Sequence, residues 1–257
     1  MKVSNSQIGC FKACRRMYEL KYIHGLEPVK TAETLQRGLS YHQGVEAILR
    51  GEKPETDDPK IRAMLAMFAA NTSFSVEDIE KWFEYQTASG HTVIGRMDAV
   101  SASGTPIEHK TTSGLIDGEY MNRLELDEQI PTYMLATNKT MLTYTVISTP
   151  TIRQKKDEDE EAFFNRCVEW FYDSNRAQKF VVSQIALSQN RLTEFAEEQN
   201  AVINEMATCK LFYRNPSHCM KWGRLCEYAP ICMHYDPNME YIEFKRREIR
   251  ENGNTDA

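Results

Sequence analysis

The stretch GRMDAVSASGTPIEHKTTS, residues Gly95 to Ser113, decides how the chain is read. Its apolar residues alternate on either side of a Ser103-Gly104 turn, which predicts two strands joined by a tight hairpin. Asp98 then falls near the end of the first strand, and Glu108 and Lys110 fall on the second. Residues two apart on a strand share a face, so Glu108 and Lys110 project together while His109 points away. The short turn brings Asp98 beside Glu108. Two carboxylates offer hard oxygen ligands for Mg²⁺ or Mn²⁺, and such a metal polarises a phosphate and acidifies a water. A neighbouring ammonium orients that water or offsets charge on the phosphorane, so the trio points to phosphodiester hydrolysis. The competing reading is an exposed cross-strand ion-pair ladder, worth less than about 1 kcal/mol. Val93, Ile94, Met97, Val100 and Ile107 shift the balance, because the polar trio interrupts strands that otherwise read as buried, and buried charges mark sites.

Outward from this hairpin, Trp82 to Thr87 adds a strand across a Ser89-Gly90 turn, completing a meander with Thr92 to Val100 and Pro106 to Thr111. Upstream the pattern is helical. Ser4 and Gln7 form a capping-box signature before Ile8, Phe11, Met17 and Tyr18. A second helix is predicted over Thr34 to Leu49, and a third through Met64, Leu65 and Phe68 after a Gly, Pro and Asp loop. Downstream come a helix holding Gln129 and Tyr133, a strand at Leu142 to Ser148, and two long helices around Glu160 to Gln178 and Leu192 to Cys209. The acidic run Asp157 to Glu161 reads as a helix start favoured by the dipole. The expected organisation is one domain over 1–257: a helical part at 1–75, a sheet core at 80–150, helices and a cysteine loop at 151–235, and a charged tail at 236–257.

The 257 residues, 41% of them hydrophobic, suffice for a large core. With no apolar run near 18 residues and no signal-like N-terminus, a soluble cytoplasmic protein without membrane contact is expected. Seven cysteines are an odd count for a disulfide framework, so metal binding comes first. A net charge of −6 disfavours a protein that coats nucleic acid but allows an enzyme with a local basic groove.

Gly-x-x-Asp followed by Ile-Glu-x-Lys-Thr resembles the PD-(D/E)xK nuclease superfamily, specifically its RecB-like branch, although Met97 stands where the superfamily's name shows a proline. The resemblance implies Asp98 and Glu108 as metal ligands, the His109 carbonyl as another, and Lys110 as the catalytic lysine. Gly38-Leu39-Ser40-Tyr41-His42 is similar to the branch's helix histidine, an additional metal ligand; alone, a helical histidine is ordinarily a surface or capping residue. Gln129-Ile130-Pro131-Thr132-Tyr133 resembles its Gln-x-x-x-Tyr element, whose i, i+4 spacing sets both polar groups on one face toward substrate phosphate or water. An ordinary amphipathic helix with a half-buried Tyr133 is the plain alternative. Pro131 places that helix's start near Glu128.

The segment CMKWGRLCEYAPIC groups Cys219, Cys226 and Cys232, leaving a fourth ligand to come from elsewhere. Resemblance to RecB-like nucleases that carry a cluster, phage exonuclease-like members among them, implies a [4Fe-4S] centre on Cys14, Cys219, Cys226 and Cys232, with Cys10 competing for the N-terminal place. By spacing alone structural Zn²⁺ suits four thiolates as well. Either would cross-link a loop of roughly 200 residues and so act as a staple. Cys167 and Cys209 read as small buried hydrophobes.

The resemblance implies an α/β, restriction-endonuclease-like fold: a mixed central sheet flanked by helices, plus a helical lobe closed by the cluster. The activity it implies is metal-dependent DNA hydrolysis, exonucleolytic on single-stranded ends, in phage recombination, replication or repair. A structure-selective or nonspecific endonuclease and a non-catalytic DNA-binding subunit are the rivals, and a recombination or helicase partner is left open. Arg15, Arg16 and Lys21, with Tyr18 and Tyr22 as stacking partners, are the candidate DNA contacts, against a solvated helix face with two core tyrosines.

Overall fold

The computed structural model describes residues 1–29, 33–173, 178–221, 223–234 and 244–246. In chain order the elements are β1 (Lys2–Ser4), α1 (Asn5–Ala13), α2 (Arg15–Tyr18) running into a π-helical turn (Glu19–Ile23), β2 (Leu26–Pro28), α3 (Glu33–Leu49) and α4 (Pro59–Asn71). Three strands follow, β3 (Val76–Gln86), β4 (Thr92–Ser101) and β5 (Pro106–Thr112), then α5 (Gly118–Asn122), α6 (Gln129–Thr137), β6 (Met141–Ser148), α7 (Glu160–Tyr172), β7 (Phe180–Ala186) and α8 (Gln189–Thr208). The chain then forms α9 (Pro216–Cys219), β8 (Met220–Lys221), β9 (Arg224–Leu225), α10 (Ala229–His234) and β10 (Phe244–Arg246). Most of the anticipated tail, 236–257, lies outside the described residues. Among those described, no helix is long and apolar enough to cross a membrane.

The sheet runs β1-β4-β5-β6-β7, with β3 also paired to β4, and it is mixed: β1 is parallel to β4, β4 antiparallel to β5, β5 parallel to β6, and β6 antiparallel to β7. The parallel β5 to β6 step needs a crossover, supplied by α5 and α6. β7 departs from expectation. The helix predicted to reach Gln178 ends at Tyr172, and the β-branched, alternating run Phe180 to Ala186 pairs with β6 from Ile147 back to Met141.

The chain divides into two compact units: residues 33–83 with 96–192, and residues 1–32, 84–95 and 193–257. In the first, β6 shows how the sheet is covered. Tyr144 and Val146 join Met97, Ile130, Tyr133 and Met134 in one core, whereas Ile147 joins Tyr41, Phe68, Phe163 and Cys167 in another. Period-two alternation therefore feeds two apolar layers, one under α6 and one under α3, α4 and α7. Asp58 caps α4 by accepting from the Lys60 and Ile61 amides, and Asp159 caps α7 by accepting from Ala162. Each cap stabilises by about 1 kcal/mol, and Glu160 and Glu161 in the first turn add the expected dipole complement.

In the other unit the Ser4 and Gln7 capping box is fully formed. Leu20, Leu26, Tyr228, Ile231 and Phe244 make a small core, β10 pairs with β2, and the Tyr228 hydroxyl donates to the Leu26 carbonyl. The N- and C-terminal stretches are thus already joined by protein contacts.

Candidate active site

The hairpin that carries the trio closes as its sequence requires. Gly104 takes a φ of +77, its amide donates to Ser101 O at 2.8 Å, and Ser101 N donates to Thr105 O at 2.9 Å. The ladder pairs Ala99 with Ile107 and Val100 with Pro106. Just beyond it, Asp98 Oδ2 accepts the His109 backbone amide at 2.8 Å, which holds the carboxylate against β5. The other oxygen, Oδ1, lies 3.4 Å from His42 Nδ1 on α3.

Glu108 is 1% exposed. Its Oε1 pairs with Lys110 Nζ, while Oε2 is buried with no hydrogen-bond partner among the described residues. Lys110 Nζ donates to Gln129 Oε1 at 2.6 Å, Gln129 Nε2 donates to the Tyr133 hydroxyl at 2.6 Å, and that hydroxyl donates to the Arg96 carbonyl at 2.8 Å. Helix α6 begins at Gln129 with Glu128 as its N-cap, as Pro131 predicted, and the i, i+4 pair shares one face, Gln129 meeting the lysine and Tyr133 meeting Gln129. Tyr133 is buried rather than half-buried. His109 points the other way, packing edge-on to Phe68, with Nδ1 2.6 Å from Thr145 Oγ1.

The two carboxylates sit in opposite electrostatic environments. Burial pushes Glu108 up, the Asp98 charge pushes it further, and Lys110 offsets only part. Burial also opposes the Asp98 charge, but the hydrogen bond and charge of His42 and the His109 amide outweigh it and hold that group low. Burial lowers Lys110 and His42, yet Glu108 and Asp98 respectively raise both above their ordinary values. Burial drives His109 down to about 4, so its ring is neutral. Asp98, Glu108, His42 and Lys110 thus meet, with Gln129 and Tyr133 behind the lysine.

Sequence reasoning missed Thr145, which fixes the His109 ring, and the ion pair of Glu80 Oε2 with Arg96 Nε at 2.7 Å. Arg96 was findable, since it stands two residues before Asp98 on one strand.

Cys14, Cys219, Cys226 and Cys232 line one small cavity of about 20 Å³, together with Met17, His218 and Tyr228. Cys14 caps the end of α1, and the Cys226 amide donates to Cys219 O at 2.8 Å. Cys10 is buried and is not among the residues that line that cavity, its thiol pushed up to about 12 by burial. Cys167 is buried as expected, whereas Cys209 is only partly so. Among the described residues no three His, Cys, Asp or Glu side chains form a group that could hold a metal ion as they stand. The donor chemistry nevertheless suits one in each place: an orphaned buried carboxylate oxygen beside a second carboxylate and an imidazole, and four thiols around one cavity. Of the candidate DNA contacts, Arg15 pairs with Glu205 and stacks on Tyr213, Arg16 pairs with Glu19, and Lys21 lies over Tyr22. Tyr18 is buried between Phe11 and Tyr22.

A family model described as the PD-(D/E)XK nuclease superfamily matches residues 2–233. No curated protein matches the chain. Among solved structures, a candidate exonuclease from Eubacterium rectale superposes with a TM-score of 0.50 at 10% identity, over 86% of this chain and 93% of that one. An alkaline exonuclease from Laribacter hongkongensis gives a TM-score of 0.36 at 12% identity, over 80% and 88%. A phage-related exonuclease from Haemophilus somnus gives 0.36 at 13%, over 80% and 96%. At such identities structural likeness speaks to the fold; the family model spans most of the sequence, and the chain belongs to the PD-(D/E)XK nuclease superfamily.

Proposed function

We propose that the chain is a metal-dependent deoxyribonuclease that hydrolyses phosphodiester bonds as an exonuclease on single-stranded ends. The observation that carries this reading is Glu108 Oε2: a carboxylate oxygen buried without a partner is costly unless a cation completes it, and Asp98 and His42 converge beside it. His42, Asp98, Glu108 and the His109 carbonyl would hold Mg²⁺ or Mn²⁺, which supplies the positive charge that polarises a phosphate and lowers the pKa of water. Lys110, raised above its ordinary range by Glu108 against the pull of burial, stays an ammonium. It therefore orients the attacking water and neutralises charge on the phosphorane rather than removing a proton. Gln129 and Tyr133 fix where that ammonium stands.

The exonuclease reading follows the description of the Eubacterium rectale neighbour. We read the four cysteines as a structural [4Fe-4S] centre, with Zn²⁺ as the alternative; their common cavity supports a shared ligand. Iron, sulfide and zinc analysis of anaerobically purified protein separates the two.

The test is incubation of linear and circular single-stranded DNA with Mg²⁺, Mn²⁺ or EDTA, beside Lys110→Met, which keeps the stem and removes the charge. Metal-dependent loss of the linear strand alone, abolished in the folded variant, supports the reading. Cutting of the circle makes the protein an endonuclease, and equal inertness of both proteins on every substrate sinks the assignment.

A further inference from the structure

Arg96 and Asp98 are two apart on β4, so they share a face, while Met97 between them is buried in the opposite core. On β3 the same spacing joins Glu80 and Trp82. The two pairs meet: Glu80 Oε2 takes Arg96 Nε at 2.7 Å, and the guanidinium carbon lies 5.7 Å from the centroid of the Trp82 ring. Glu80 adopts a φ of +55, a left-handed conformation uncommon away from glycine, so β3 bends where it offers its carboxylate to Arg96. A core would hide an indole and neutralise a guanidinium fully. Here Trp82 is 45% exposed and the Arg96 side chain 42% exposed, beside a cluster of carboxylates.

We propose that Trp82 and Arg96 form a strand-binding subsite next to the catalytic carboxylates, the indole stacking on a base and the guanidinium meeting a backbone phosphate. The ion pair with Glu80 uses Nε, and the guanidinium's other donors lie on its terminal nitrogens. Glu80 holds the group in place while those donors serve the strand. The guanidinium also offsets the repulsion that Asp98 and Glu108 exert on an approaching phosphate, which matters in a chain whose net charge is −6. Stacking needs an unpaired base face and tolerates any base, so this subsite selects single strands or frayed ends without reading sequence. The inference rests on the nuclease reading and gives that site its substrate class.

The test is fluorescence anisotropy of a labelled single-stranded oligothymidylate in EDTA, so that nothing is cleaved, with Trp82→Ala, Trp82→Phe and Arg96→Gln. Trp82→Ala weakens binding by about thirtyfold, the middle of the range for loss of one stacked base. Trp82→Phe keeps most of the affinity, and a strand carrying abasic residues binds wild type and Trp82→Ala alike. Arg96→Gln lowers the slope of affinity against salt by about one released counterion. Trp82→Ala binding as tightly as wild type overturns the subsite. So does equal weakening by Ala and Phe, or a difference that persists on the abasic strand, since either reports a structural role. Metal-dependent cleavage by wild type is scored separately. If wild type cleaves while Trp82→Ala binds normally, the subsite alone falls; if wild type neither cleaves nor binds DNA, both readings fall.

Discussion

His42 Nδ1 stands 3.4 Å from Asp98 Oδ1, so helix α3 delivers an imidazole to the carboxylate oxygen that the β-hairpin leaves open. If that pair holds the catalytic cation, His42→Ala raises the half-saturating Mn²⁺ concentration by at least about tenfold, a scale that even outer ligand partners reach. The fold is little disturbed, because the His42 side chain is partly exposed. Activity titrations with Mn²⁺ decide it: an unchanged midpoint removes His42 from the site.

Tyr133→Phe deletes one hydroxyl that serves two groups, the Arg96 carbonyl and Gln129. Stability falls by about 1 kcal/mol or somewhat more, because the carbonyl is left unsatisfied. Cleavage falls on the order of tenfold in kcat with KM little moved, because Lys110 loses the relay that aligns it. Urea unfolding and steady-state kinetics on the same preparation check both numbers; a normal kcat would detach Tyr133 from the lysine's alignment.

Cys14 lines the thiol cavity and Cys10 does not, although one helical turn separates them in sequence. If the four thiols hold iron or zinc as proposed, Cys14→Ser loses that metal and lowers the unfolding temperature, whereas Cys10→Ser keeps it. Metal analysis of the two purified variants reads the outcome directly. Retention by Cys14→Ser with loss in Cys10→Ser reverses the assignment.

Glu158 accepts from Arg166 Nε at 2.6 Å and Nη2 at 2.7 Å, and this bidentate bond holds its carboxyl down at about 2. A depressed carboxyl stabilises the fold fully above its unfolded value of 4.5 and loses that contribution as pH falls through about 2. The melting-temperature gap between wild type and Glu158→Gln is therefore constant from pH 7 to about pH 5 and narrows below pH 4. A gap that widens on acidification contradicts the ion pair.

That Asp98, Glu108 and Lys110 meet was legible because a strand's period of two is a strict rule: Glu108 and Lys110 had to share a face, and the short turn at Ser103-Gly104 had to bring Asp98 back to them. Gln129 and Tyr133 were legible as one helix face for the same kind of reason. What that face touches was not, since the Lys110 to Gln129 contact spans 19 residues and depends on how α6 crosses the sheet. β7 escaped because Phe180 to Val182 extends the apolar tally of the helix before it, and only pairing with β6 makes those residues a strand. The Glu80, Arg96 and Trp82 contacts needed the register of β3 on β4 and a left-handed residue inside a strand, neither of which a linear pattern encodes.

Beyond its last rung with β4, β5 gives the His109 amide to a side chain on that strand, Asp98 Oδ2, in place of a backbone carbonyl. One proton of the sheet thereby becomes a gauge of charge at the proposed metal site. Its chemical shift follows the electron density on Asp98, and its rate of exchange with deuterated solvent follows how firmly that carboxylate is held. A single assigned amide resonance would report cation loading without any substrate present.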